Sequence, residues 1–384
     1  MVFSKFYRKF SYLCLIGTLW ACDNKSTVRH VLEREAIISI DTVMIDSKGE
    51  FLYLNDELRQ STLSSDKRFL YNFNERESSI EQINLDELCL DELLIFDRDG
   101  PNGIGSLISN IQLAGEGRML IWSLRGAGIF GLQGSRLSSV ELSPVEDVFS
   151  NGYHYSLRTF KENFNNIFGL TINWDSHSYF FWKLNPENGQ LKNYNLSEFD
   201  KVKSFVLQQM DGARVVRGNL PGVFLSDDSD KLFLSNEVSN DIYIYDPKLD
   251  SLIHYALPHN SIPQIKVNVT FPKAESQEEM NKLLTDFKED INFSKLNWDQ
   301  EAKLFYRFSY KEKFTRSMDI GGSPVPSSSE VFLSVWDSEL NLLSEQQVQG
   351  LTETPKTHFV KDGKIWVFVN VEDEMGFLRL SLDL

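Results

Sequence analysis

The chain has 384 residues, among them 28 Phe, 13 Tyr and only 11 Pro, a composition that supplies a sizeable apolar core and excludes a disordered chain. Its 55 Asp and Glu against 39 Lys and Arg leave a formal charge of −16, and a field of that sign repels phosphate backbones, which excludes nucleic acid as a partner. Three cysteines are too few for a disulfide framework.

Residues 1–21 read as an address. MVFSKFYRKF carries Lys5, Arg8 and Lys9 with no acid, and SYLCLIGTLWA is a short apolar stretch ending in Ala21. A basic start, an apolar middle and a small residue at the cut describe a secretory signal. The apolar stretch falls well short of the ~20 residues that span a bilayer. LWAC, with Leu19 three residues before Cys22 and Ala21 directly before it, resembles a bacterial lipobox. By that resemblance Cys22 becomes the lipidated first residue of the mature chain, although Trp20 is an unusual occupant. The alternative is an ordinary signal peptide followed by a chance cysteine. The expected division is a lipoprotein signal at 1–21, a lipid-anchored polar tether at 22–34 and a folded body at 35–384. This places the protein in a bacterial cell envelope with a membrane as its first partner; periplasmic side or surface, and inner or outer membrane, stay open.

From Glu35 on, short apolar runs alternate with turn residues, the signature of an all-β chain. FLYL, RFLYNFN, SIEQINL and ELLIF form a first group of four strands between Phe51 and Phe96. Cys89 lies in this group and reads as a small buried residue. LISNIQL, RMLIWSL, AGIFGL and RLSSVEL form a second group, and YHYSLRTF, NIFGLTINW, SYFFWKL and QLKNYNL a third. GVFLS, KLFLS, DIYIYD and SLIHYAL are the clearest quartet, joined by Asn, Asp, Ser and Pro turns. INFSKLNWD, AKLFYRFSY, EVFLSVWD and LNLLSEQQV follow. The last group, KTHFV, KIWVFVNV and GFLRLSLDL, has only three members.

Four antiparallel strands make one propeller blade. The missing strand of the last group is supplied by EAIISIDTVMI at Glu35–Ile45, so that the first strand closes the ring against the last and removes the exposed edges. The expected fold is therefore a six-bladed β-propeller; a seven-bladed ring or two packed sheets is the alternative. One helix interrupts the pattern. SQEEMNKLLTDFKED places Met280, Leu283, Leu284 and Phe287, and Ile291 just after it, on one face, with Ser276 and Glu279 spaced as a capping box.

Taken together, the lipobox, DGPNGIG after the first blade, and INFSKLNWDQEAKLFYRFSY behind an acidic helix resemble a family of Bacteroidota lipoproteins classed as a domain of unknown function with a propeller-like fold. The resemblance implies fold and location and brings no catalytic residues with it.

Chemistry is sparse. DRDGPNGIGS has the glycines of a phosphate cradle, but a strand follows it where a helix N-terminus is needed, and the Walker lysine is missing. It reads as a turn between blades. The six histidines form no zinc pattern, and SDDSD at Ser226–Asp230 lacks the glycine and terminal glutamate of a calcium loop. No cofactor or metal is therefore expected. No Gly-x-Ser-x-Gly elbow marks a nucleophile.

Blade geometry gathers a rim. The loops joining second to third strands share a face with the loops joining successive blades. On that face the expected polar contributors are Arg98, Arg125, Asp175, His177, Arg214 and Arg217, with Glu237, Asp241 and Arg316. Converging arginines would form an anion-attracting funnel, the alternative being local pairs on a solvated rim, and Trp174 would offer a stacking face or a core contact. KEKFTRSMDIGGSPVPSSSE reads as a long loop, a lid or partner-binding arm.

Two function classes follow. The first is a lipid-anchored binding or scaffold module that takes a small molecule, glycan or protein at the channel mouth. The second is a propeller hydrolase or lyase acting on a carbohydrate or lactone with a divalent metal. The feature separating them is a carboxylate cluster in the channel, at which Glu237, Asn240 and Asp241 hint.

Overall fold

The structure is a computed structural model that describes residues 36–384, except 116, 124–125, 146–152, 162–165, 174–175, 228, 268–271 and 320–321. The signal, Cys22 and the tether lie outside the described residues. Six antiparallel sheets follow one another along the chain and form the expected six-bladed propeller. Blade one comprises Ser61–Leu63, Phe69–Asn74, Ser79–Asn84 and Cys89–Ile95. Blade two is Ile108–Leu113, Arg118–Ser123, Gly126–Gly131 and Arg136–Val140. Blade three is Tyr153–Lys161, Asn166–Asn173, Tyr179–Asn185 and Gln190–Asn195. Blade four runs Val223–Ser226, Leu232–Asn236, Asp241–Asp246 and Ser251–Ala256. In blade five the innermost strand is broken into Asn292–Phe293 and Asn297–Asp299, ahead of Leu304–Met318, Pro324–Trp336 and Leu342–Gln347.

Blade six closes the ring as expected. His358–Lys361, Lys364–Val371 and Glu374–Asp383 are completed by Ile37–Met44, which pairs antiparallel with Glu374–Asp383. The register sets Ile38 against Leu382, Ile40 against Leu380 and Val43 against Phe377. Arg379 fixes it with a two-pronged bond, its Nε and Nη2 donating to the two Asp41 carboxylate oxygens at 2.7 Å each.

The core is a ring of seams between neighbouring blades. One apolar cluster centred on Trp366 and Phe377 joins six to one, and one around Phe96 and Phe130 joins one to two. Trp122 and Trp182 fill the next seam, Phe168 and Tyr245 the one after it. Phe233 and Trp336 then join four to five, and Phe308 and Val367 join five to six. Inner strands are mostly buried, whereas outer strands such as Gln190–Asn195 are largely exposed.

Three expectations are corrected. FLYL is not a strand: Phe51 is 97% exposed, and the innermost strand of blade one is Ser61–Leu63. The segment is instead tied to side chains, Tyr53 N donating to Glu81 Oε1 (2.8 Å) and Asn72 Nδ2 to Tyr53 O (2.9 Å). The long loop at Lys311–Glu330 is a β-hairpin extension of blade five, with Lys311 opposite Glu330 and Lys313 opposite Ser328. Its prolines, Pro324 and Pro326, sit where the register slips, the positions at which a strand tolerates a missing N–H. Finally, a second hairpin, Leu207–Asp211 with Arg214–Asn219, was not anticipated. It turns at Gly212 (φ 60°) and takes Lys273–Ala274 as a parallel third strand.

The helix α1, Gln277–Glu289, follows this small sheet and buries Met280, Leu284 and Phe287 as its spacing requires. Ser276 caps it by accepting from Glu279 N, while Glu279 reaches back to Glu275 N instead of Ser276 N.

Gly169 is required by close approach: the Trp182 ring lies flat across it, Nε1 donating to Thr171 Oγ1 (2.8 Å), and an added Cβ would stand 1.9 Å from Trp182 Cζ2. Gly169→Ala should therefore displace Trp182 from the seam and cost about 3 kcal/mol of stability, measurable by urea unfolding.

Candidate functional site

A cavity of about 1970 Å³ runs down the axis of the ring. Innermost strands of blades one, two, four, five and six line it through Ser61, Ser109, Phe224, Ser294 and His358, among others. At one end the wall is made by the first turns of blades one, two and four, with Asp66, Lys67, Gly117 and Asp227. At the other it is made by the loops between blades and the blade-five hairpin, with Glu57, Lys288, Glu312, Ser327–Ser329 and Lys356.

The channel is balanced in charge although the chain is acidic. Carboxylates of Asp56, Glu57, Asp66, Asp227, Glu312 and Glu353 share the lining with Arg59, Lys67, Lys288, Lys295 and Lys356. Several are committed within the wall: Lys356 Nζ lies 2.9 Å from Glu57 Oε1 and Lys288 Nζ 3.5 Å from Glu312 Oε2. Thr354 Oγ1 donates to Glu312 Oε1 (3.1 Å) and contacts Ser329 Oγ at 3.0 Å. Gln112 Nε2 donates to Asp227 Oδ2 (2.8 Å), linking blades two and four.

The expected rim residues are placed elsewhere. Arg98 folds back on its own blade, Nε donating to Ser78 Oγ (3.0 Å) and Nη2 to Glu75 O (2.8 Å). Arg214 is exposed on the inserted hairpin. Arg217 ties that hairpin to its neighbours, donating to Asn281 Oδ1 (3.3 Å) on α1 and to Ser323 Oγ (2.9 Å) on the blade-five hairpin. His177 takes a turn position with φ 52°. Glu237 accepts from Gly222 N (2.6 Å). Asn240 is pinned to Leu257 O and the Gln264 side chain. None of these lines the cavity. Arg125, Trp174, Asp175 and the Arg316 side chain lie outside the described residues. DRDGPNGIGS is the turn between blades one and two, closed by Ile104 N on Asp97 O and Gly105 N on Arg98 O, with Gly100 and Gly105 at φ near 90°.

Asp241 is the centre of a network at the outer edge of blade four. Its Oδ2 accepts from Lys201 Nζ (2.7 Å) and Ser239 Oγ (2.7 Å), and its Oδ1 lies 2.8 Å from His254 Nε2. Burial would raise the Asp241 carboxyl, but the bonds from Lys201, Ser239 and His254 outweigh it and hold it low. Glu198, Asp241 and His254 stand close enough to share a cation. The Lys201 ammonium already occupies that position, 2.7 Å from Asp241 and 3.8 Å from Glu198, so the residues fit an ion-pair network rather than a metal.

Sequence reasoning missed a second constellation, Ser334, His259 and Glu345, whose members are far apart in the chain. Glu345 Oε2 and Ser334 Oγ both lie against the same ring nitrogen, His259 Nδ1, at 2.5 and 3.4 Å. A nucleophile-base pair needs the hydroxyl and the acid on opposite ring nitrogens, and both His259 and Glu345 side chains are essentially inaccessible. The group is structural. Glu345 Oε1 accepts from the amides of Ser261 (2.6 Å) and Ile262 (2.9 Å) and from Ser261 Oγ (2.8 Å), strapping the loop after blade four onto blade five. Burial would raise this carboxyl, but the His259 ring and the Ser261 amide and hydroxyl hold it at about 2.

Fold and cavity together define a six-bladed propeller with a wide channel of mixed polar and apolar lining. Residues 35–347 match the family described as Domain of unknown function (DUF4221), and the chain belongs to that family. The crystal structure of a family member from Bacteroides vulgatus superposes with a TM-score of 0.67 at 13% identity, covering 91% of this chain and 99% of that one. A Bacteroides fragilis protein superposes with a TM-score of 0.52 at 10% identity, covering 91% and 96%. At these identities the likeness speaks for the fold alone. No curated protein sequence matches the chain.

The buried network makes acid stability legible. Burial pulls the His358 imidazole from 6.5 to about 3, so the unfolded chain takes up a proton below pH 6.5 that the folded chain refuses, and stability should fall as pH drops from 6.5 towards 3. Glu345 acts lower: its contribution is complete above 4.5, its ordinary value, and is lost as pH falls towards 2. Glu345→Gln should cost about 3 kcal/mol at pH 7, and its deficit against the parent should shrink below pH 4.5, as read from urea unfolding across the pH series.

Proposed function

We propose that this chain is a lipid-anchored, extracytoplasmic binding module that holds a small polar molecule in the propeller channel. In this reading residues 1–21 are removed as a lipoprotein signal, Cys22 carries the lipid and 22–34 tether the body to the membrane. The basic, then apolar N-terminus and LWAC support the address. Among the described residues no helix is long and apolar enough to cross a membrane. Two or more acyl chains on Cys22 would hold the protein at a bilayer stably.

One observation carries the binding role: two of the elements that depart from a minimal propeller, α1 and the blade-five hairpin, reach the same channel mouth. The end of α1 supplies Lys288 and the extended blade-five hairpin supplies Glu312 and Ser327–Ser329. A cavity of about 1970 Å³ exceeds the ~300–1,000 Å³ of ordinary ligand pockets, so it holds a ligand together with solvent. Its hydroxyls, from Ser61 and Ser109 to Thr354 and Thr357, favour a partner that donates and accepts many hydrogen bonds.

Ser109 offers the test, since it faces the channel on the innermost strand of blade two. Ser109→Trp should fill the axis, leave the melting temperature nearly unchanged and abolish the thermal shifts that mono- and oligosaccharides produce in the parent. Shifts that persist with the channel filled would place binding elsewhere. The address has its own test: Cys22→Ala should end incorporation of labelled palmitate and release the chain from washed membranes.

A further inference from the structure

The innermost strand of blade five differs from its counterparts. Every residue in Ile291–Asp299 is buried except Lys295, which lines the channel. The ladder is interrupted between Phe293 and Asn297, and interruptions of this kind re-aim a side chain. The carbonyls of the interruption all have partners. Ser294 N donates to Phe308 O (2.9 Å), and Ser294 O accepts from Arg307 Nε (2.8 Å). Lys295 O accepts from Ser294 Oγ (3.1 Å) and Asn297 Nδ2 (3.3 Å), and Leu296 O from Ser226 Oγ of blade four (3.1 Å).

The supports are themselves rigid. Arg307 is buried over the Phe293 ring, 4.9 Å from its centre, and also donates to Asn236 O (2.7 Å) and Ser239 O (3.3 Å) of blade four. On the other flank stands His358 of blade six, buried against Phe308 with ring centres 5.2 Å apart and close enough for the Lys295 charge to help keep it neutral. Against this fixed backbone the Lys295 ammonium is alone. Lys288 and Lys356 of the same channel have Glu312 and Glu57, whereas among the described residues Lys295 has neither a carboxylate nor a hydrogen-bond acceptor.

A half-buried ammonium without a counter-charge, rising from a fixed backbone, is a seat for an anion. We infer that Lys295 anchors an anionic group, a carboxylate or a phosphate, on a hydroxyl-bearing small molecule such as a sugar acid or sugar phosphate. The inference rests on the channel reading above and names the ligand class it takes. Hydroxyls for the rest of the molecule stand beside it at Ser329, Thr354 and Thr357.

The test is titration calorimetry on the full, detergent-solubilised chain with glucuronate, glucose 6-phosphate and glucose. The parent should bind at least one of the two acids about tenfold more tightly than glucose, with an affinity that falls as sodium chloride is raised. The two acids distinguish the carboxylate from the phosphate source. Lys295→Gln should erase the tenfold preference, Lys295→Arg should keep most of it, and Lys67→Gln, at the other end of the channel, should leave it intact. A Lys295→Gln protein that melts with the parent and still prefers the acids overturns the inference. So does glucose bound as tightly as either acid, an outcome that leaves the channel reading standing. If the parent takes none of the three, the inference fails, and the Ser109→Trp comparison on the wider saccharide panel decides whether the channel reading fails with it.

Discussion

Pairing of Ile37–Met44 with Glu374–Asp383 is the constraint on which the molecule depends. Without it blade six ends in an unpaired edge, and the apolar side of its outer strand has nothing to lie on. Ile38 and Ile40 pack into the seam between blades five and six, and Val43 into the seam between six and one, so one strand completes two seams. The entropic cost of joining segments some 340 residues apart grows only logarithmically with the intervening length, roughly 0.6 kcal/mol per doubling. Eight residue pairs in register and the two-pronged Arg379–Asp41 bond set against that cost a gain in many small parts. Because each seam depends on its two blades keeping their angle, closure at one point fixes the diameter of the axis everywhere.

Within the closed ring, buried charged groups do work that apolar residues could not. Arg307 donates to three carbonyls from two blades, Glu345 accepts from the loop after blade four, and Lys266 caps the end of α1. The Lys266 ammonium sits 2.7 Å from Phe287 O, 2.6 Å from Asn292 Oδ1 and 3.9 Å over the Phe287 ring, and burial lowers it to about 8. A buried charge satisfied in this way is rarely the most stable solution available, since well-packed apolar groups often do as well. Its benefit is direction. Irregular backbone has carbonyls and amides that no ladder satisfies, and a charged side chain with several donors or acceptors can satisfy them in only one arrangement. The three groups lie where the regular blades give way to the loop after blade four, the broken strand and α1.

How much of this was legible in the sequence depended on whether the signal was local. KLFLS, DIYIYD and SLIHYAL alternate and end in turn residues, and they are strands as read. The closing strand was legible because KTHFV, KIWVFVNV and GFLRLSLDL leave one strand wanting and EAIISIDTVMI has no inner partners of its own. FLYL misled because four apolar residues look like a strand until Glu81, Asn72 and Asn74, buried in the blade, are seen gripping that segment and one another. The hairpin at Leu207–Asn219 did carry its signal, Asp-Gly between two apolar runs, and was passed over. KEKFTRSM beside GGSPVPSSSE read as a loop because Gly, Pro and Ser outweighed the alternation of Phe314, Arg316 and Met318. The buried polar cluster was harder still. Glu345, His259 and Ser334 are brought together across 75 and 86 residues where the loop after blade four packs on blade five, and no spacing rule joins them.

The rim arginines illustrate why counting charges on a face does not find a site. An exposed guanidinium beside loop carbonyls finds acceptors within its own blade, as Arg98 does at Glu75 O, or at a neighbouring insertion, as Arg217 does at Asn281 and Ser323. Once satisfied, it contributes little to attracting a ligand, because its field is already answered locally and screened by solvent. The relevant quantity is the charge left over after internal partners are subtracted, in a place that water enters only partly. Lys67 and Lys295 both line the channel, but Lys67 stands on an exposed first turn at one end, whereas Lys295 rises from a backbone held on both sides. A lysine whose backbone is already fixed has only its side-chain freedom left to lose when an anion arrives, and one on a mobile turn has more. The proposed anion seat is thereby tied to the break in the innermost strand of blade five: a ladder continuous from Asn292 to Asp299 would deprive Arg307 and Ser226 of their acceptors there and Lys295 of its fixed backbone.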